Sequence, residues 1–308
     1  MDVPFTILIT QVLAMLVMLS VGYVSYRAHL LSDAGVGDLA NVVMYVASPA
    51  VMVTSFLGVF RMEKLVNAGA CALLTIVILL MCALVARIFC GSEGRISRFG
   101  VIFSNTGFVG IPLVQSILGQ EYVLYVTVCI AVSIFFVWTY GVYLVTGSFQ
   151  EVSLAKVLTN PAVTTLFLGF TLFLLSVRLP DFLSVACSTL GSLNTGGAMI
   201  VLGCYLAQTR LGHMMRDLRI YKVSLLRLVV SPLLCCVLLW LLPVQLISAD
   251  VKMVVLITFA TPVGALCAML SQKYGGNYEY GAGLVWLSTL LSLATMPLML
   301  ELGMMVLS

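Results

Sequence analysis

FGVIFSNTGFVGIPLVQSILGQ occupies residues 99–120. Arg98 and Glu121 bound this uncharged stretch, which has the roughly 20 apolar residues that a helix needs to cross a bilayer. Its middle contradicts its ends, because Ser104, Asn105, Thr106, Gly107, Gly110 and Pro112 crowd together there. Asn and Thr compete for backbone hydrogen bonds, glycine loosens a helix, and Pro112 removes a donor and crowds the preceding turn. In hydrocarbon each freed backbone group costs several kcal/mol, so such a break survives only where it lines a cavity or is buried in protein. The stretch is therefore the first candidate binding site.

The remainder of the chain is equally apolar. Hydrophobic residues make up 62% of the 308 and charged residues 9%, with a mean hydropathy of +1.16, whereas a soluble domain carries roughly a quarter charged residues. Cutting the chain at its charges leaves ten uncharged windows: 3–26, 39–60, 65–86, 99–120, 122–150, 157–177, 182–209, 228–249, 253–272 and 280–300. Each is about as long as a spanning helix. Strands of a membrane barrel would be half as long and would alternate in polarity. The expected fold class is all-α integral membrane, with ten transmembrane helices.

The first window does not read as a cleaved signal, since Asp2 rather than a basic segment precedes it and its apolar run is long. With the N-terminus outside, ten of the fifteen Lys and Arg residues fall in inner loops and four in outer segments, with Arg227 left at the start of a helix. That bias places both termini on the outer side of the cell membrane. The net charge of +3 is scattered over short connections, which points away from nucleic acid. None of the nine cysteines forms a C-x-x-C pair, so they read as small packing residues, not disulfides or metal ligands. H-E-x-x-H, Walker A and G-x-S-x-G motifs are all missing. No enzyme activity, catalytic residue, metal or cofactor is predicted.

Window nine, MVVLITFATPVGALCAMLSQ, repeats the anomaly of window four. Thr261 reads as the cap and Pro262 as the first residue of a new helix at mid-membrane, followed by Gly264. Window four is fourth of the first five and window nine is fourth of the second five. The polar connector 148–156 separates the halves, 1–152 and 153–308. Five spans per half make the halves antiparallel, and matching interruptions in an inverted repeat point to a transport site at the midplane. In this reading the second half-helices begin near Pro112 and Pro262, and their positive N-terminal ends face one cavity. With Asn105, Thr106 and Thr261 as neutral hydrogen-bonding groups, that cavity suits a small carboxylate. The carbonyl ends of the first halves are left as a site for a cation. Neither window contains Asp, Glu, His, Lys or Arg, which argues against a proton relay at the centre and leaves only Glu121 and Glu279 at the rim.

Other windows carry weaker signals. Pro49 reads as a kink, and Trp138 and Tyr143 as an interfacial belt, with Tyr140 facing the interior and joining the candidate site. Asn160-Pro161 is a strong helix start. Residues 192–197 (SLNTGG) allow close helix contact or face a cavity, and His213 reads as solvated.

SNTGFVGIPLVQSILG, TNPAVTTLFLGF, FATPVGALCAML and STLLSLATMPL together resemble the auxin efflux carrier family, which includes plant PIN-type carriers and bacterial permeases for malonate or malate. The resemblance spans the whole chain, and N-T-x-x-x-G-I-P at residues 105–112 is its most specific part. It implies two inverted five-helix repeats in which helices four and nine cross. It also implies a scaffold of helices 1, 2, 6 and 7 against which helices 3–5 and 8–10 move as an elevator. Asn105 would contact substrate, while Pro112 and Pro262 would mark the crossing. Ala162-Val163-Thr164 departs from the plant N-P-x-x-Y form, so Pro161 receives no role. Only 148–156 stands where plant members have a long cytosolic loop, which favours a bacterial-type permease.

The expected function is secondary transport of a small mono- or dicarboxylate. The candidate substrate-binding residues are Asn105, Thr106, Gly107, Gly110, Pro112, Thr261, Pro262, Gly264 and Tyr140. The partners are that organic anion and the lipid bilayer, with a coupling ion (H+ or Na+) and a homodimer left open. The rival reading is a membrane sensor or scaffold that binds without transporting; its sign would be a cytosolic output domain or a long tail.

Overall fold

The computed structural model describes residues 5–307 apart from 58–60, 92–93, 153, 209–216 and 244–246. Glu93, Arg210 and Arg216 of the basic loops, and His213 with its solvated reading, lie outside the described residues. The chain folds into helices α1 (Phe5–Arg27), α2 (Asp33–Phe56), α3 (Met62–Cys90), α4 (Arg95–Ile102) and α5 (Thr106–Ile117). There follow α6 (Gln120–Thr146), α7 (Leu154–Leu158), α8 (Pro161–Leu174) and α9 (Asp181–Gln208). The last four are α10 (Leu218–Trp240), α11 (Ala249–Ala260), α12 (Leu266–Lys273) and α13 (Tyr278–Leu307). Among the described residues the only β pairing is one isolated antiparallel bridge. By length and composition six helices can cross a membrane, namely α2, α3, α6, α9, α10 and α13, while α1, α5 and α8 contribute shorter apolar segments. The architecture is all-α and multi-pass.

These helices are apolar on two sides because protein meets one side and lipid the other. On α3, Cys71, Leu74, Ile78, Cys82 and Ala86 are buried while Leu73, Leu80, Leu84 and Ile88 are exposed. Seven of the nine cysteines are likewise buried. Helices α1, α2, α8 and α9 pack together, chiefly α1 on α9 and α2 on both α8 and α9. The others form a second cluster in which α3 packs on α4 and α6, and α13 on α10, α11 and α12. The close approach of α1 and α9 depends on small residues. A Cβ on Gly22 would overlap the Ile200 carbonyl, and one on Gly203 the Leu19 carbonyl. The polar centre of α9 is a helix contact: Asn194 is fully buried and accepts a 2.7 Å hydrogen bond from Ser48 Oγ of α2.

Three prolines are accommodated by widened turns. Val43–Ala47, Thr106–Gly110 and Leu226–Val230 are π-helical, and each lies directly before the dipeptide that ends in Pro49, Pro112 or Pro232. Proline lacks an N–H and its ring strikes the carbonyl of the preceding turn; one turn with longer-range bonding relieves both problems. At α8 the predicted start holds, since Asn160 Oδ1 accepts from Ala162 N at 3.0 Å and Pro161 occupies the first turn. Trp138 is partly buried and packs against the core of the protein.

Candidate functional site

Windows four and nine are both split. Phe103 leaves α4 in an extended conformation (φ −102°, ψ 121°), and Thr261 leaves α11 likewise (φ −67°, ψ 153°). For Thr261 the cause is local, because the residue before a proline is driven out of the helical region. The interruptions lie side by side: Asn105 N donates to Pro262 O at 2.8 Å and Gly264 N donates to Phe103 O at 3.0 Å, flanking the bridge between Ser104 and Val263. Each break thus satisfies polar groups that the other exposes. A Cβ on Gly264 would stand 3.0 Å from Ser104 O, so this approach calls for glycine. Ser288 Oγ of α13 accepts from Val263 N at 3.0 Å and steadies the second segment.

The backbone pairing corrects where the second half-helices begin. α5 starts at Thr106, well before Pro112, which is buried inside the continuing helix. α12 starts at Leu266, a turn beyond Pro262, whose carbonyl is committed to the bridge. Thr261 therefore does not cap a new helix; its Oγ1 donates back to Thr258 O at 2.9 Å and closes the end of α11.

The carbonyls at the ends of α4 and α11 converge on one side chain that the sequence reading left aside. Arg227, fully buried on the π turn of α10, donates from Nε to Thr261 O at 3.1 Å and from Nη2 to Phe259 O at 2.8 Å. Its Nη1 donates to Val101 O at 3.1 Å and Ile102 O at 3.2 Å. The carbonyls that the sequence left open to a cation are met by a guanidinium.

The N-terminal ends border a partly open cavity of about 140 Å³ that Arg227 does not line. Its walls come from Ser48, Pro49 and Met52 of α2, from 103–108 at the first break, and from Ile130, Ser133, Ile134 and Val137 of α6. Asn160, Pro161 and Ala162 at the start of α8 and Gly264, Ala265, Leu266 and Met269 complete it. The walls are largely apolar, with polar groups at the helix ends. Asn105 is 4% exposed, and its Nδ2 is buried with no hydrogen-bond partner. Thr106 Oγ1 pairs with Ser104 Oγ at 2.9 Å. Gly107 leaves open space where a side chain would stand. A larger cavity of about 900 Å³, bordered by Arg27, Asp33 and Gln208, shares Ala265 and Met269 with the first.

Asn105, Thr106, Gly107 and Gly264 are thus brought together on one wall. Gly110 lies behind it, facing the Thr106 and Thr261 methyl groups, and Pro262 belongs to the bridge. Tyr140 does not reach the cavity: it sits in the π turn Val137–Gly141 and stacks on Tyr143 with ring centroids 6.1 Å apart. The widened turn shifts the helical register after Val137, rotating Tyr140 off the face that Ile130, Ile134 and Val137 present. Asn160 and Pro161, given no role from sequence, stand at the cavity. Their signal was present as a polar helix start inside an apolar window.

The profile of a family described as membrane transport protein matches residues 7–300, a range that includes both interruptions, the cavity and Arg227. No curated protein matches the chain.

Proposed function

The chain belongs to that membrane transport protein family, the auxin efflux carriers, a family of transporters and not of enzymes, and from this premise we propose that it is a permease moving a small organic anion across the cell membrane. The substrate class is a mono- or dicarboxylate, and the chain is of the bacterial type. The observation that carries the proposal is Asn105, which lines the cavity at the positive end of α5 and whose Nδ2 is a buried donor without a partner. A buried unsatisfied donor costs about 1–3 kcal/mol, which a carboxylate oxygen accepting from it would recover. Thr106, Gly107, Gly264 and the starts of α8 and α12 complete the binding wall.

Ten crossings follow if α4 with α5, and α11 with α12, each count as one interrupted span and α7 as a connector. Halves 1–152 and 153–308 then run oppositely. The near-symmetric pairing of Phe103 with Gly264 and Asn105 with Pro262 supports that inversion. The clustering of α1, α2, α8 and α9 supports a scaffold, against which the second cluster slides as an elevator. Both termini lie outside, so the larger cavity near Arg27 is the cytoplasmic mouth.

Uptake of a panel of mono- and dicarboxylates into proteoliposomes tests this reading. We expect uptake of at least one acid, reduced at least tenfold by Asn105→Ala with melting temperature little changed. Binding without flux for every acid would favour a sensor; flux unaffected by the substitution would remove Asn105 from the site.

A further inference from the structure

Arg227 sits where the two interrupted helices present their negative ends, and no carboxylate among the described residues pairs with it. Guanidinium keeps its proton in proteins, so the charge is permanent. A buried charge without a counter-ion is strongly disfavoured unless fixed dipoles offset it. Here they do: each half-helix C-terminus carries about half a negative charge, and α4 and α11 together supply about one. Four carbonyls receive the fork, from Val101, Ile102, Phe259 and Thr261. In carriers with interrupted helices, such unwound carbonyls are where coupling metal ions are held.

We infer that Arg227 is a built-in counter-cation that stands in place of a coupling metal ion at the crossing, so that the anion is bound and carried without sodium there. The inference rests on the transporter reading and deepens it by assigning the coupling. Arg227 does not line the cavity, so it is a positioning residue: it neutralises the negative ends and leaves the facing positive ends of α5 and α12 to the anion. It stands on the π turn that precedes the Ser231-Pro232 pair, where Ser231 Oγ donates to Leu226 O at 3.1 Å.

The test is thermal unfolding of the purified full chain in sodium chloride against choline chloride of equal strength. The wild type should melt at the same temperature in both. Arg227→Ala, with four orphaned carbonyls, should melt roughly 10 °C lower. It should be raised again by millimolar guanidinium, which leaves the wild type unchanged, and by sodium. Arg227→Lys should fall between them, because one ammonium cannot reach four carbonyls spread over two helices. Specific stabilisation of the wild type by sodium would overturn the inference, and so would an Arg227→Ala protein deaf to both added cations. Where Arg227→Ala does not fold, the wild-type comparison and Arg227→Lys decide, and a lysine variant as stable as wild type would refute the clamp. Only sodium and guanidinium are added, so these readings stand even if no carboxylate is transported, a result that would count against the transporter reading alone.

Discussion

At Gly107 the structure offers a direct test of the cavity. A Cβ built there meets no atom within 4 Å, yet the residue lies on the cavity wall. Gly107→Leu should therefore fold with its melting temperature within a few degrees of wild type while filling the space meant for the ligand. We expect uptake of any transported acid to drop at least tenfold; unchanged uptake would place the ligand elsewhere. Gly107, Asn105, Thr106 and Gly264 were legible in the sequence because small or polar residues at mid-window contradict the hydropathy around them. Arg227 was not. A charge at the edge of an apolar window reads as the helix boundary, and nothing local reveals that α10 begins earlier, at Leu218, and carries the arginine into the core. Tyr140 misled for a related reason, since a single π turn moves a side chain to another face without altering composition.

Among the elements, the division of windows four and nine was legible, but the positions where the helices resume were not. Proline chemistry alone places them at Pro112 and Pro262. Hydrogen bonds between segments far apart in sequence decide otherwise, holding residues 103–105 and 262–264 outside the helices. The π turns before Pro49, Pro112 and Pro232 show how the fold retains prolines in apolar helices without orphaning carbonyls. The α1–α9 contact makes a prediction of its own. Because carbonyl oxygens of the facing helix occupy the space beside Gly22 and Gly203, Gly22→Val cannot be absorbed by a rotamer change. We expect a loss of about 1–3 kcal/mol, read as a lower melting temperature in detergent. The same change at Gly69 of α3, where a Cβ meets nothing, should be far milder.

For the whole molecule, hydropathy made the membrane class plain, whereas grouping of helices into two clusters depends on contacts that a single sequence does not show. The shared lining of the two cavities at Ala265 and Met269 predicts a sided accessibility. In a background with the partly exposed Cys90 and Cys187 replaced by alanine, Met269→Cys should react with a membrane-impermeant thiol reagent from the Arg27 side. Inside-out vesicles should be labelled and right-side-out vesicles spared, and the reverse pattern would invert the proposed topology. The join between the interruptions bears on how such a protein can diversify. Main-chain amides and carbonyls tie that knot, so its strength owes little to which side chains surround it. Residues on the cavity wall can then be exchanged to suit new cargo while the hub is inherited intact, and a library varied at Ser133, Ile134 and Ala162 should yield folded proteins with altered appetites.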